Sequence, residues 1–151
     1  MNMKTELRCG VQIVALEALF DLPDFEECVN AYEELGRKYI QTGFSKSAYL
    51  DIDPNQIIAI ACIDDGRCAG FAGLIPKQDH HFGKIMMVDS IFVKREYRQL
   101  GYGARLFEKI REVSRAEKCK ALLFSAMAGT ALEKIYSKRY KKFCTVFYEE
   151  L

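Results

Sequence analysis

The amino-acid sequence predicts a single α/β domain that spans residues 1–151. The chain has 151 residues, half of them apolar, which suits one core of ordinary size without a second domain. Short apolar runs of strand character alternate with segments of helical periodicity along most of its length. In the middle of the chain, an apolar strand leads directly into a helix through a basic turn that contains glycines.

Each element of this α/β order follows from its own local pattern. Apolar runs predict six strands, at 11–16, 57–63, 68–75, 84–93, 120–126 and 142–149. Apolar residues at helical spacing predict helices at 21–39, 101–118 and 129–139, with a shorter helical piece at 46–50. Asp64-Asp65-Gly66 is a hairpin signal, so the strands that flank it should be antiparallel neighbours. The polar stretch 77–81 predicts a loop.

Charge and cysteine content argue against several classes of protein. The net charge is only +1, so the chain has no global positive field of the kind that accompanies nucleic-acid binding. The six cysteines form no C-x-x-C pair and the two histidines are adjacent, which argues against a zinc site and a disulfide framework. No apolar run approaches the roughly twenty residues of a membrane span. With charged residues in place of a signal-peptide core at 1–10, we expect a cytoplasmic protein.

The segment from Val88 to Ala104 is the most informative part of the sequence. A strand-to-helix junction presents backbone N–H groups at a helix N-terminus, where the helix dipole favours phosphate. Gly101 and Gly103 lack a Cβ, so a bulky anion can approach the main chain there. The turn is therefore predicted to hold a pyrophosphate group.

The spacing of this turn distinguishes between phosphate-binding motifs. A G-x-x-x-x-G-K-[ST] loop requires a lysine and a hydroxyl after its second glycine, and Gly103 is followed by Ala104 and Arg105. A G-x-G-x-x-G fingerprint requires a third glycine at position 106, which is a leucine. The pattern that fits is R-x-x-G-x-G/A, formed by Arg98, Gly101 and Gly103 after a strand of the form I-F-V.

This combination of strand, motif and helix resembles the coenzyme A signature of the GNAT acetyltransferase superfamily, and the order of the elements resembles that family along nearly the whole chain. The resemblance implies a mixed, twisted sheet that splays open between its fourth and fifth strands, with helices on both faces. It also implies acetyl-CoA as co-substrate, bound in the split, and no metal. The residues that it assigns to the coenzyme are Ile91, Phe92, Val93, Arg98, Gln99, Leu100, Gly101, Tyr102, Gly103 and Ala104.

The resemblance also suggests two residues for the chemistry. Tyr136 lies in the helix after the fifth strand, where family members carry a tyrosine that protonates the coenzyme A thiolate; the alternative is a core tyrosine with a satisfied hydroxyl. Asp89 lies where some members carry an acid that takes a proton from the substrate amine; the alternative is an acid bonded to nearby backbone. The chain departs from the family pattern after Tyr136, because Tyr140-Lys141 replaces a glycine and an aromatic residue.

The expected activity is transfer of an acetyl group to a primary amine by direct attack in a ternary complex. Two alternatives remain open at this point: a GNAT-fold protein that binds coenzyme A or a partner without turnover, and a nucleic-acid-directed enzyme. The latter is suggested by a cluster of cations near two tyrosines, Lys134, Lys138, Arg139, Lys141 and Lys142. The final strand leaves an exposed edge that favours pairing, so a homodimer is also expected.

Overall fold

The structure is a computed structural model that describes residues 9–37, 53–147, 149 and 151. Its elements are, in chain order, β1 (Cys9–Val14), α1 (Leu16–Phe20), α2 (Phe25–Arg37), β2 (Ile58–Asp64), β3 (Arg67–Asp79), β4 (Gly83–Val93), a 3-10 helix (Arg95–Leu100), α3 (Tyr102–Ala116), β5 (Ala121–Leu123) and α4 (Ala131–Arg139). The described strands form one sheet in the order β1-β2-β3-β4-β5. Neighbouring strands are antiparallel as far as β4, and β4 and β5 are parallel. The predicted mixed sheet is confirmed.

Helices pack on both faces of this sheet, as predicted. On one face, α1 and α2 cover an aromatic cluster in which Phe25 lies 5.5 Å from Phe71, centroid to centroid. On the other face, α3 buries three apolar residues at helical spacing: Leu106, Ile110 and Val113. Each such side chain contributes about 1.5–3 kcal/mol when it is fully buried. The apolar periodicity that predicted the two long helices therefore also determines which side of each helix faces the sheet.

The hairpin formed by β3 and β4 is longer than the sequence predicts. The stretch from Lys77 to Asp79 was expected to be a loop, and it continues β3 by pairing with Gly83–Ile85. Its side chains are exposed or half-buried, so no apolar pattern marks it as a strand, and the backbone ladder alone holds it in place. The carboxylate of Asp79 then fixes the turn by accepting hydrogen bonds from the amides of His81 (2.8 Å) and Phe82 (3.1 Å).

Three other boundaries differ from the expectation. Leu16 was assigned to the first strand and instead begins α1, where its side chain is buried. The 3-10 helix was not predicted, because none of its residues is buried and its pattern has no apolar period. The fifth strand is shorter than predicted and ends at Leu123. The helical piece expected at 46–50, and the end of the helix expected to reach position 39, lie outside the described residues.

The segment after α4 is the clearest error of the sequence prediction. A strand was expected at 142–149, and the described residues from 142 to 147 belong to no strand. Val146 and Phe147 are 80% and 86% exposed. The apolar residues of this segment are typical of a strand, but a strand also needs the edge of a neighbouring strand with which to form hydrogen bonds. The homodimer expected from this edge stays a prediction.

Candidate functional site

The sheet opens between β4 and β5. The two strands pair over Ile85–Met87 and Ala121–Leu123, and the described part of β5 ends there while β4 continues to Val93. Gly73 pairs with Ser90 but Leu74 pairs with Val88, so Asp89 is an extra residue in β4 with no opposite number in β3. Such a bulge bends its strand and increases the local twist. The second half of β4 thus has an edge that the described part of β5 does not cover.

The glycine turn lies at the end of this exposed edge. Gly101 has φ +81° and ψ +5°, a left-handed conformation that glycine adopts without strain, and α3 begins at the next residue. The first hydrogen bond of the helix runs from the amide of Arg105 to the carbonyl of Gly101, at 3.1 Å. The amides of Tyr102, Gly103 and Ala104 therefore have no acceptor within the helix.

The surroundings of the two turn glycines are open. A Cβ built on Gly101 or Gly103 would have no atom within 4 Å outside its own chain neighbours and the backbone of its helix. Packing therefore does not account for glycine at these positions, in contrast to Gly70, whose Cβ would collide with the carbonyl of Phe92. The space around these two positions is open, and the diphosphate expected there stays a prediction.

Arg98 connects the turn to the end of β4. Its Nε donates a 2.8 Å hydrogen bond to the carbonyl of Val93, and its guanidinium lies 5.5 Å from the centroid of the Phe92 ring. The side chain is exposed, but it is held by these two residues, both of which were predicted to belong to the coenzyme site. Arg98 thus places a positive charge beside the uncovered edge of β4.

Tyr102 has two roles at the start of α3, one for its main chain and one for its side chain. The ring is buried, and the hydroxyl donates a 2.7 Å hydrogen bond to Asp64 at the end of β2. The guanidinium of Arg105 lies 5.4 Å from the centroid of the same ring. The side chain therefore anchors the first turn of the helix, while the amide remains available at the glycine turn.

Lys94 is a site residue that the sequence analysis missed. It follows β4 directly, is 6% exposed, and its ammonium lies 3.2 Å from a carboxylate oxygen of both Glu27 and Glu96. Burial alone would lower the pKa of Lys94, but its hydrogen bonds to these two carboxylates outweigh burial and raise that pKa above its ordinary value. A lysine after a strand carries no sequence signal for burial, because Glu27 is far away in the chain.

Tyr136 is positioned by α4, whose start is well defined. The hydroxyl of Thr130, the N-cap residue, accepts from the amide of Glu133, and the carboxylate of Glu133 accepts from the amide of Gly129, one residue before the N-cap. One turn further, the ring of Tyr136 packs edge-on against Phe124, with centroids 4.6 Å apart. Phe124 follows β5 directly, so Tyr136 lies on the β5 side of the opening.

The hydroxyl of Tyr136 is buried and has no hydrogen-bond partner among the described residues. Burial in this aromatic cluster, and to a lesser extent the charge of Tyr140, raises the pKa of Tyr136 to about 12. A core tyrosine is expected to have a satisfied hydroxyl, because an unpaired buried one costs about 1–3 kcal/mol. The hydroxyl of Tyr136 departs from that expectation among the described residues.

Asp89 lies at the bulge of β4 and is exposed. Burial, and then the charge of Asp89, raises the pKa of Tyr32 on α2, so the carboxylate is close to that phenol. Tyr32 belongs to the aromatic cluster under α2, 5.8 Å from Phe92. Tyr136 packs instead on Phe107 of α3, 6.0 Å away. The two predicted chemical residues thus lie toward opposite faces of the sheet.

A cavity of about 370 Å³ lies between α2 and the end of β4. Its lining combines carboxylates with apolar and basic groups, among them Glu27, Glu34, Leu35, Phe92, Lys94 and Arg98. Glu26, Glu27 and Glu34 are exposed on α2.

Within the described ranges, no three His, Cys, Asp or Glu side chains are grouped so as to hold a metal ion. No helix in the same ranges is long and apolar enough to cross a bilayer.

Comparisons with known proteins identify the same family as the motif. The model of the Acetyltransferase (GNAT) family matches residues 17–139. Aminoglycoside acetyltransferase meta-AAC0020 from an uncultured soil metagenomic sample, solved with sisomicin, has a TM-score of 0.69 at 14% identity, over 94% of this chain and 95% of that one. AAC(6')-Iy, solved with the bisubstrate analog CoA-S-monomethyl-acetylneamine, has a TM-score of 0.67 at 15% identity, over 95% of this chain and 99% of that one. Comparison with curated protein sequences finds no match.

Proposed function

This chain belongs to the acetyltransferase (GNAT) family, and on that premise we propose that it is an N-acetyltransferase that moves an acetyl group from acetyl-CoA to a primary amine. The observation that carries the proposal is the left-handed Gly101 at the start of α3, with three amides that have no helical acceptor and open space above them. These groups can bind a diphosphate through hydrogen bonds and the helix dipole. Arg98 adds a positive charge at the same end of β4.

The uncovered edge of β4 would hold the pantetheine arm. Ile91 and Val93 are half-buried by their side chains, so their main chain can bond with a ligand while their side chains pack. The carbonyl of Val93 already accepts a hydrogen bond from Arg98, and its second lone pair remains for a ligand amide. Acetyl-CoA supplies the activated acetyl group, and this edge would orient its thioester toward the opening.

Tyr136 would act as the general acid. When the amine nitrogen attacks the thioester carbon and loses a proton to the base, the C–S bond breaks and the departing thiolate takes the phenolic proton; the tyrosinate then regains a proton from solvent. With a pKa of about 12, the phenol stays protonated at neutral pH, as this role requires. Its buried, unpartnered hydroxyl supports the assignment because a ligand sulfur would give it a partner.

Asp89 would accept a proton from the attacking amine, directly or through water. Its carboxylate lies at the bulge and close to Tyr32, on the face opposite to that of Tyr136. A base and an acid on opposite sides of the opening suit direct attack in a ternary complex, because the amine approaches the carbonyl carbon from one side and the thiolate departs from it on another. In the adjacent cavity Glu27 is already paired with Lys94, and the lining carries as many basic as acidic side chains, so its charge does not select the acceptor.

The proposal is tested by measuring acetyl-CoA binding calorimetrically and free-thiol release with a panel of amines. The panel includes polyamines, amino acids, peptides and aminoglycosides, the last because similar solved structures are aminoglycoside acetyltransferases. We expect binding and amine-dependent thiol release. Binding without release from any amine would favour a coenzyme-binding protein without turnover. No binding would overturn the proposal, and salt-sensitive RNA binding would then favour the nucleic-acid alternative.

A further inference from the structure

We propose that Lys94 is a positioning residue that holds the 3-10 helix, and with it the glycine turn, against α2. The inference rests on the proposed function for its effect on coenzyme binding. Its structural part, that Lys94 fixes the 3-10 helix, concerns the free protein. The contacts that carry it are the two ion pairs of one buried ammonium, with Glu27 on α2 and with Glu96 in the 3-10 helix.

Both the main chain and the side chain of Lys94 are fixed. Its amide donates to the carbonyl of Ala69 on β3 (2.9 Å), and its carbonyl accepts from the amide of Tyr97 (2.9 Å), a bond that closes the first turn of the 3-10 helix. Its ammonium also lies 5.9 Å from the centroid of the Tyr97 ring. Three elements, β3, α2 and the 3-10 helix, therefore meet at one residue that lies between β4 and the glycine turn.

Stability alone does not explain a buried charge at this position. Removing an ammonium from water is costly, and buried ion pairs can often be replaced by apolar side chains of similar volume without loss of stability. Here the lysine side chain is 8% exposed, whereas those of Glu27 and Glu96 are 64% and 59% exposed. An uncharged residue at 94 would leave both carboxylates able to turn into solvent. The ion pair that fixes the Glu96 side chain would be lost, and with it a contact that holds the 3-10 helix in position.

The ion pair of Lys94 and Glu27 also links the glycine turn to α2, the helix beside the proposed base Asp89. Glu27 and Tyr32 are both on α2, and Tyr32 is close to Asp89. Lys94 therefore sets the position of the 3-10 helix relative to α2. Since the 3-10 helix ends at Leu100, directly before Gly101, a shift at Glu96 would move the amides that are proposed to bind the diphosphate.

The same strand offers a matched control. Lys84 is at the opposite end of β4, and its ammonium forms an ion pair with Glu117 at 3.4 Å. Its side chain is 39% exposed, and its carbonyl accepts from the amide of Lys120, a bond that does not depend on the side chain. Lys84→Met therefore removes a lysine–glutamate pair from β4 without changing the contacts of the glycine turn.

The test compares Lys94→Met, Glu96→Gln and Lys84→Met. In the first two we expect the Kd and KM for acetyl-CoA to rise about tenfold with kcat nearly unchanged, because the turn is displaced and the reacting groups are not. Lys94→Arg should recover most of the affinity, and Lys84→Met should resemble the unmodified protein. An unchanged Kd in folded Lys94→Met would overturn the proposal, as would a parallel fall in kcat, coenzyme affinity and thermal stability. If Lys94→Met does not fold, Glu96→Gln, which changes only an exposed carboxylate, decides the outcome.

Amide hydrogen exchange provides a second readout that needs no coenzyme. In the free protein, Lys94→Met should accelerate exchange at residues 95–101 and Lys84→Met should not. Unchanged exchange rates at these amides in Lys94→Met would refute the positioning role even if acetyl-CoA binds. Conversely, a protein that binds no acetyl-CoA would refute the proposed function, while the exchange rates would still decide whether Lys94 fixes the 3-10 helix.

Discussion

The hydroxyl of Tyr102 and the carboxylate of Asp64 are joined by a 2.7 Å hydrogen bond that ties the start of α3 to the end of β2. The bond crosses from the helix that presents the proposed diphosphate site to β2, which β3 separates from the strand that borders the opening. Because the Tyr102 ring is buried, the bond is shielded from competing water on that side. It links the stability of the fold to the geometry of the glycine turn.

Tyr102→Phe should therefore lower the free energy of unfolding by about 1.5–3 kcal/mol, the range for a hydrogen bond to a charged partner. Urea denaturation measures this directly. Tyr97→Phe is the control, because Tyr97 is a neighbouring tyrosine in the 3-10 helix whose ring centroid lies 5.8 Å from that of Tyr102. Equal stability of Tyr102→Phe and the unmodified protein would mean that the bond contributes nothing net.

Gly101→Glu should raise the Kd for acetyl-CoA by at least about a hundredfold, because like charges brought together cost several kcal/mol. Calorimetric titration measures the change. Gly66→Glu is matched for strain and charge, since Gly66 also has a left-handed backbone, at φ +74°, and no atom within 4 Å of a built Cβ. If both variants bind acetyl-CoA equally well, the diphosphate does not lie at Gly101.

Tyr136→Phe should lower kcat by roughly one to three powers of ten and leave the coenzyme Kd nearly unchanged. Its stability should be equal or slightly higher, because the lost hydroxyl has no partner among the described residues. Tyr140→Phe is the control, since the Tyr140 hydroxyl accepts from Arg111 and Tyr140 packs against the same Phe124 ring. Unaltered kcat in Tyr136→Phe would return Tyr136 to a purely structural role.

The stability of the protein should fall at alkaline pH in a way that depends on Tyr136. Its pKa is about 12 in the folded state, above the value near 10 for an unfolded tyrosine, so unfolding releases a proton between these values. Ionisation of Tyr136 leaves the free energy of unfolding unchanged below about pH 10 and lowers it as the pH rises toward 12. Between pH 9 and pH 12, the free energy of unfolding from urea denaturation should decrease less steeply for Tyr136→Phe than for the unmodified protein. An equal decrease in both proteins would contradict the raised pKa.

Asp89→Asn should change the pH profile of kcat/KM if Asp89 accepts the amine proton. The acidic limb of the profile should then disappear or move, while the coenzyme Kd stays the same. Glu26→Gln, an exposed acid on α2, removes the same charge without touching β4. Superimposable profiles for the Asn variant and the unmodified protein would exclude Asp89 as the base.

The glycine turn could be predicted from sequence because its chemistry is local. A left-handed residue and a helix start require particular residue types within a few positions, and Gly101 supplies them. Lys94 could not be predicted, since its burial depends on Glu27, which only the fold brings near. The missed 3-10 helix and the extended β3 both lack an apolar pattern, because backbone hydrogen bonds hold the end of β3, and backbone hydrogen bonds together with the ion pair of Lys94 and Glu96 hold the 3-10 helix.

The environment of Tyr136 lies between these two cases. Its place on a helix was predictable from apolar spacing, and Thr130 and Glu133 carry a legible capping signal. The absence of a partner for its hydroxyl among the described residues was not predictable, because it depends on how Phe107 and Phe124 enclose the ring. The prediction of a strand at 142–149 was wrong for a related reason. A sequence pattern of polar and apolar residues does not show whether a neighbouring strand is close enough to pair with.

The seam between β4 and β5 has a consequence for partial unfolding. Three residue pairs connect these strands in the described part of the sheet, whereas β4 is paired with β3 along almost its whole length. Mild denaturant is therefore expected to detach β5 and α4 first, and Tyr136 with them. A sample damaged in this way would still contain the glycine turn proposed to bind the coenzyme but would have lost the proposed proton donor, so coenzyme affinity alone would overstate the fraction of protein with a complete site.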